Sequence, residues 1–282
     1  MAMVVADIGG TSSRWGVLRA GADSVIIGGL PGFNPATGAP EPFVEAVRAR
    51  AKAEDLSPEG LYVYAAGCGS PERAARMAQA LRAVWPGVEA DVHTDLLGAA
   101  RGLLGDAPGL VLILGTGMNF GRYDGCVVHQ TVPSVGWILG DEGSGADIGK
   151  RLLRDALRGN VPMDVMHAVF PEGLELSAMI ERLYRGERPQ AWLAAFTGRL
   201  APLADHPWVR GRVGGRFREL AGVLAASSGE YPERGIQATG SVAYGFGDLL
   251  REVLVQEGFD LIAVQASPLP GLLRYHAARL PR

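Results

Sequence analysis

The sequence predicts an α/β protein built of two halves, each a mixed central sheet flanked by helices. Three observations carry this. Apolar runs of four or five residues alternate with segments of helical period along the chain. A Gly-Thr loop follows an apolar run twice, as Gly10-Thr11 and as Gly115-Thr116, and each is followed after four residues by another glycine, Gly16 and Gly121. Each loop also leads into strands at hairpin spacing, so the plan of the first half restarts in the second.

The elements follow in order. Met3-Val4-Val5-Ala6 reads as a buried strand, with residues 15–18 and 24–27 at hairpin spacing behind it. A helix covers about 41–53, Leu61-Tyr62-Val63-Tyr64 is a strand, a helix runs over about 71–83, Ala90-Asp91-Val92-His93 is a short strand, and a helix spans about 95–104. A hairpin followed by strand–helix units implies strands of both directions with helices on the faces. The turn-rich stretch Gly105-Asp106-Ala107-Pro108-Gly109 marks a boundary and divides the chain into domains 1–107 and 108–282. Leu110-Val111-Leu112-Ile113-Leu114 is the most apolar strand of all. Hairpin strands near 119–123 and 126–130 follow, then helices at about 141–157, 176–184, 190–199 and 207–228. Strands 236–239 and 261–264 enclose a helix near 242–256, and a last helix runs over about 269–280.

Composition excludes several function classes. At 282 residues and 48% hydrophobic, the chain has ample material for one large core or two modest ones. Net charge is −3, and Lys52 and Lys150 are the only lysines among scattered arginines. No basic stripe forms, so nucleic acid is not expected as a partner. No run of about 18 apolar residues is present, so no membrane span is expected. Two cysteines, Cys68 and Cys126, make no disulfide framework and suit a reducing compartment. The start lacks a basic region before its apolar run, which Asp7 interrupts, so no secretory leader is expected and the cytoplasm is the default location.

Familiar nucleotide motifs fail on their spacing. Gly149-Lys150 is preceded by Ser144 and followed by Arg151 where a phosphate-binding P-loop needs Gly and Ser or Thr. Gly143-x-Gly145 meets Ile148, and Gly115-x-Gly117 meets Phe120, where a dinucleotide fingerprint needs its third Gly. The five histidines are isolated, without metal-ligand spacing.

What remains is a set of loops. In Asp7-Ile8-Gly9-Gly10-Thr11-Ser12 the glycines let backbone N–H groups face a phosphate, and the hydroxyls add donors. Asp7 is an acid in an apolar strand; it suits water around Mg²⁺, or the loop is simply a tight hairpin turn. Leu114-Gly115-Thr116-Gly117-Met118-Asn119 repeats that chemistry. Gly136-Trp137-Ile138-Leu139-Gly140-Asp141-Glu142-Gly143-Ser144-Gly145 joins two carboxylates to four glycines ahead of a helix, where Asp141 could serve as a cap. Asp95 begins a helix, and the residues alone leave it open between cap and general base.

These segments resemble a family. Asp7–Gly16, Gly32-Phe33-Asn34-Pro35, Ala66-Gly67-Cys68, Thr94–Ala99, Leu114–Asn119, Gly136–Gly145, Ala194-Ala195-Phe196, Gly240-Ser241-Val242-Ala243 and Ser267–Leu272 run collinearly over nearly the whole chain. Together they are similar to the actin-like ATPase superfamily that includes the hexokinases. They resemble more closely the bacterial N-acetylglucosamine kinases, which are grouped with the activator ATPases of benzoyl-CoA reductase (BadF/BadG/BcrA/BcrD type). The resemblance implies two actin-like (ribonuclease-H-like) domains, ATP in the cleft between them, and a last helix packed back on the first domain. It implies ATP- and Mg²⁺-dependent phosphorylation of a small-molecule amino sugar, N-acetylglucosamine at its 6-hydroxyl. Glucosamine, N-acetylmuramic acid, or an activator-type ATPase of the same fold are the alternatives, and a homodimer is in keeping with the group.

By the same resemblance, Gly9, Gly10, Thr11 and Ser12 hold the phosphates from one side, and Gly115, Thr116 and Gly117 from the other. Asp7 supports Mg²⁺ through water. Gly240, Ser241 and Val242 cover the adenosine; Asn34, Asn119, Gly136, Trp137 and Asp141 line the sugar pocket; Asp95 is the base. Two departures bear on the sugar. Met118 stands where related kinases often carry a small hydroxyl residue, and Ser12-Ser13 replaces a commonly basic position.

Overall fold

A computed structural model describes residues 2–19, 21–227 and 233–280. The chain divides into two units. Residues up to Pro108, the hairpin tip Tyr123–Val128 and residues from Ser267 onward form the first; Gly109–Arg122 and His129–Ala266 form the second.

The first unit is built on strands β1 (Ala2–Ile8), β2 (Ser12–Arg19), β3 (Val25–Pro31), β4 (Gly60–Ala65) and β5 (Glu89–Thr94), with helices α1 (Glu41–Ala53), α2 (Pro71–Arg82) and α3 (Asp95–Leu104). The sheet order is β3-β2-β1-β4-β5, with β1 antiparallel to β2 and parallel to β4. The two-residue period of β1 decides what each side chain covers. Val4, Ala6 and Ile8 enter one apolar cluster with Trp15, Phe43, Met77 and Leu81, while Val5 enters another with Leu18 and Tyr64. Each large side chain so buried contributes about 1.5–3 kcal/mol. An exposed pair such as Arg50–Glu54 contributes about 0–1 kcal/mol, so the cores decide this fold. β3 continues to Pro31, beyond the expected 24–27, because Gly28 and Gly29 carry it across a register shift opposite Ser13 and Trp15.

The second unit holds β6 (Gly109–Leu114), β7 (Met118–Tyr123), β8 (Val128–Gln130), α4 (Gly136–Leu139), α5 (Gly145–Leu157), α6 (Met163–Val169), α7 (Leu176–Arg185), α8 (Pro189–Leu200), α9 (Pro207–Ser227), β9 (Gly235–Thr239), α10 (Ser241–Gly245), α11 (Gly247–Gln256) and β10 (Asp260–Gln265). Read from its hairpin edge, the sheet runs β8-β7-β6-β9-β10, the order of the first sheet position for position. The repeated Gly-Thr loops therefore occupy equivalent turns, between the first and second strands of each unit.

Other elements also differ from the sequence expectation. α5 starts at Gly145 and not near 141, because Asp141 (φ 58°) and Gly143 (φ 73°) are left-handed and Ser144 caps the helix, its Oγ accepting from the Asp147 N–H at 3.3 Å. The helix expected near 242–256 is two, broken at Phe246, whose ring is fixed in the core. α6 had no sequence signal: seven residues are too few for a period to show. Position 228 of the expected 207–228 helix lies outside the described residues.

The chain ends in α12 (Leu269–Ala277), which belongs to the first unit. Leu269, Leu272 and Leu273 pack with Val5, Leu18 and Tyr64. His276 stacks on Tyr62 with ring centroids 3.9 Å apart, and its Nε2 lies 2.8 Å from the Tyr64 hydroxyl. Arg101 also donates to that hydroxyl, at 3.0 Å. Burial, aided by the Arg101 and Arg279 charges and opposed by Asp91, pushes the His276 pKa down to about 4. An unfolded His titrates near 6.5. The unfolded chain therefore takes up a proton below pH 6.5 that the folded chain refuses until about pH 4, and stability falls as the pH drops through that window. The expected slope is about 1.4 kcal/mol per pH unit. Thermal melts of wild type and His276→Gln between pH 7 and 4.5 test this; parallel curves would refute it.

Candidate functional site

In the first unit the predicted residues gather at the carboxyl ends of parallel strands, where α/β sheets bind ligands. β1 ends at Ile8, β4 at Ala65 and β5 at Thr94. The loops leaving them carry Gly9–Thr11, Gly67-Cys68 and Asp95. Asp7 pairs across the hairpin with Arg14. Burial raises the Asp7 pKa to about 7; Arg14 opposes this and the negative charge of Asp95 adds to it. Ser267 Oγ donates to Asp7 Oδ2 at 3.5 Å. Asp95 is also felt at Cys68, whose thiol is pushed up to about 11 by burial first and by Asp95 second, so Cys68 stays protonated. Asp7, Cys68 and Asp95 thus share one neighbourhood, and Asn34 joins it. A Cβ at Gly67 (φ 78°) would overlap Asn34 Oδ1, and that oxygen accepts from the Ala36 N–H at 2.9 Å.

The structure settles whether Asp95 is the cap. Thr94 is the N-cap of α3, its Oγ1 accepting from the Leu97 N–H at 3.2 Å. Asp95 is the first helical residue, with Oδ1 accepting from the Leu96 N–H at 2.9 Å. Its carboxylate is held at a helix N-terminus, which favours negative charge, while the capping role belongs to its neighbour.

Backbone hydrogen bonds close the first Gly-Thr loop: the Gly9 N–H donates to Ser12 O at 3.0 Å, and the Gly32 N–H to Thr11 O at 3.0 Å. A side chain at Gly32 would overlap the Gly9 carbonyl, so glycine there permits the close approach. Gly10 is different. Its φ is not positive and a Cβ there would meet nothing within 4 Å. Neither backbone nor packing demands glycine at Gly10, and the same holds at Gly115. A bare, sterically open backbone at both loops is what a phosphate group requires. Thr11 and Ser12 are exposed beside it.

In the second unit, β6, β9 and β10 end at Leu114, Thr239 and Gln265. α5 closes on the second Gly-Thr loop, the Gly145 N–H donating to Gly115 O at 2.7 Å and the Ala146 N–H to Thr116 O at 3.1 Å. Asp141 Oδ1 accepts from the Met118 N–H at 3.3 Å, and a Cβ at Gly117 would come within 2.9 Å of Asp141 Oδ2. Burial raises the Asp141 pKa; the Met118 N–H opposes this, and Glu142 and Asp147 add to it. Gly240 (φ 115°) packs its backbone on the same loop: a Cβ would sit 2.5 Å from Leu114 O. Its N–H donates to Gln265 O at 3.2 Å. Ser241 opens α10 and is exposed. Val242 is a core residue, so it offers a ligand its backbone and not its side chain.

Asn119 Oδ1 accepts from Gln130 Nε2 at 3.0 Å on the hairpin. Gly136 (φ 77°) turns the chain into α4, where the Trp137 carbonyl accepts from Lys150 Nζ at 3.1 Å and the same ammonium lies 5.8 Å from the indole centre. Met118, the position that departs from related kinases, packs its side chain in the core, and its N–H donates to Asp141 Oδ1. The sequence reading missed Ser267 as a partner of Asp7. That contact spans 260 residues and leaves no local signal.

No family model matches the chain, and a comparison with curated protein sequences returns no match. Solved structures do match. A protein from Porphyromonas gingivalis described as a candidate N-acetylglucosamine kinase is 32% identical, with a TM-score of 0.82 over 98% of this chain and 99% of that one. A candidate N-acetylglucosamine kinase from Chromobacterium violaceum is 17% identical with a TM-score of 0.65, over 97% and 98% of the two chains. A glucokinase of the ROK family from Streptomyces griseus, solved with glucose and AMPPNP, is 17% identical with a TM-score of 0.59, over 99% of each chain. At 17% identity the last two establish the two-domain actin-like fold alone. At 32% identity over nearly the full length of both proteins, this chain belongs to the same family of two-domain, actin-like sugar kinases as the Porphyromonas protein.

Proposed function

We propose that the protein transfers the γ-phosphoryl group of ATP to the 6-hydroxyl of an amino sugar, with N-acetylglucosamine as its substrate, and that it falls within the BadF/BadG/BcrA/BcrD-type group. The observation that carries this is Asp95: a carboxylate on the first residue of α3, next to the N-cap Thr94, at the carboxyl edge of the first sheet, close enough to Asp7 and Cys68 to shift both. Phosphoryl transfer asks mainly for positioning and charge stabilisation, plus one group to align the attacking hydroxyl and take its proton. Asp95 fills that role. Gly9, Gly10, Thr11 and Ser12 in the first unit, and Gly115, Thr116 and Gly117 in the second, offer N–H and hydroxyl donors to phosphate oxygens. Gly240, Ser241 and Val242 take the adenosine. Asn34, Asn119, Gly136, Trp137 and Asp141 supply the polar and aromatic groups that a sugar ring needs.

The donor set fits magnesium carried by the nucleotide. Among the described residues no group of three or more His, Cys, Asp or Glu side chains could hold a metal by itself. Mg²⁺ commonly keeps several waters and takes one or two carboxylates besides phosphate oxygens. Asp7, raised by burial and by Asp95, is the carboxylate whose surroundings gain most from a cation. The ion supplies charge neutralisation at the phosphates.

The test is sugar-stimulated ADP release with N-acetylglucosamine, glucosamine, N-acetylmuramic acid and glucose. N-acetylglucosamine is expected to stimulate at least about tenfold, because hydrogen-bonding sites reject analogues that leave their groups unpaired. Release indifferent to all four sugars would defeat the proposal, and a preference for another sugar would replace the substrate.

A further inference from the structure

The second unit contains a cavity of about 210 Å³ between α5 and α9, lined by none of the candidate site residues. Four arginines line it: Arg151 and Arg154 from α5, Arg212 and Arg216 from α9. Two carboxylates lie among them. Asp147 Oδ2 accepts from Arg216 Nε at 2.6 Å, and Asp147 Oδ1 lies 3.7 Å from Arg151 Nε. Asp155 Oδ1 accepts from Arg154 at 2.9 Å, and Asp155 Oδ2 lies 3.7 Å from Arg212 Nε. Both carboxylates are buried. With Glu219, which pairs with Arg216, three acids face four guanidinium groups.

The pairing leaves donors to spare. At 3.7 Å, neither Arg151 nor Arg212 is within hydrogen-bond distance of its carboxylate. Arg151 Nε is buried and meets no acceptor among the described residues. The Arg212 guanidinium lies 5.4 Å from the Trp208 ring centre, and that ring also lines the cavity, as do the buried Leu152 and Leu200. A guanidinium is built for two-pronged contact with phosphate oxygens.

We propose that this cavity is a binding site for a small phosphate-bearing metabolite, with its phosphate on Arg151 and Arg212 and its organic part against Trp208. A cavity of about 210 Å³ has room for a phosphate and a few carbons. The excess of one positive charge selects an anion. The buried Asp147 and Asp155 hold Arg216 and Arg154 by hydrogen bonds, which fixes that part of the cavity wall before the ligand arrives.

Tryptophan fluorescence of the full-length protein is titrated with orthophosphate and with glycerol 3-phosphate, with glycerol as the control and chloride holding the ionic strength constant. Both phosphates are expected to give a saturable change that glycerol does not. The change is expected to vanish in Trp208→Phe and to need at least tenfold more ligand in Arg151→Ala and Arg212→Ala. A response surviving in Trp208→Phe reports phosphate at another site and is subtracted. Arg212→Ala leaves sugar-stimulated ADP release and the melting temperature at wild-type values if it removes the site alone. The proposal is overturned if no change remains after subtraction, if glycerol reproduces it, or if both arginine variants bind as wild type does.

Discussion

Replacing Asp95 by Asn is expected to lower turnover by about 10²–10⁴-fold, the usual contribution of a positioned general base. The substitution keeps shape. Its amide oxygen still accepts from the Leu96 N–H, and Thr94 still caps α3, so the helix that presents position 95 is unchanged. What it loses is the negative charge and the proton acceptor. The expected pattern is therefore a fall in kcat with sugar KM and nucleotide affinity within a few-fold of wild type and an unaltered melting temperature. Thr94→Ala supplies the contrast: loss of the cap costs about 1 kcal/mol of stability and leaves the base in place. Steady-state kinetics beside thermal melts separate the two. Turnover in Asp95→Asn above about a tenth of wild type would remove Asp95 from the role.

Gly271→Ala is expected to destabilise the first unit by about 3 kcal/mol, at the upper end of overpacking costs. Gly271 of α12 faces Gly102 of α3, and a methyl group there would overlap the Gly102 carbonyl oxygen. The arrangement is reciprocal, since a Cβ at Gly102 would lie 2.6 Å from the Pro268 carbonyl oxygen. Backbone meets backbone, so no side chain can swing aside. The helices must separate, which lifts Leu269, Leu272 and Leu273 from the cluster they share with Val5 and Leu18. About 3 kcal/mol corresponds to roughly 6–12 °C in melting temperature at this size. Ser267, four residues before Gly271, shifts with the helix, so its hydrogen bond to Asp7 is lost as well. A melting temperature within about 2 °C of wild type would show that the contact is looser than described.

Much of the fold was legible along the chain because its signals are local. β1, β4 and β6 announced themselves as apolar runs, and Gly10-Thr11 and Gly115-Thr116 as turns behind them. The duplication showed because each half repeats strand, loop and hairpin in the same order, and the two sheets share one strand order. The site was less legible. Asp95 looked like a cap as well as a base, because both roles put a carboxylate at a helix start; the Thr94 hydroxyl on the Leu97 N–H gives the cap to Thr94. Asp141 looked like the cap of α5, yet Ser144 holds that place and Asp141 turns back to the Met118 N–H. Strand alternation sends the Met118 side chain into the core, a placement that the residues around it did not announce.

The sequence by itself determined the two α/β halves, the paired Gly-Thr loops and the set of carboxylates available to them, since these follow from periodicity and turn chemistry within a few residues. Tertiary structure alone decided which of those groups meet. Asp7, Cys68 and Asp95 converge because β1, β4 and β5 lie side by side and parallel, so their carboxyl ends open on one edge. Ser267 reaches Asp7 because α12 returns to the first unit, and Arg216 reaches Asp147 because α9 packs along α5. Such meetings depend on strand order and helix packing, which join residues far apart in the chain and leave no mark on the spacing around either one.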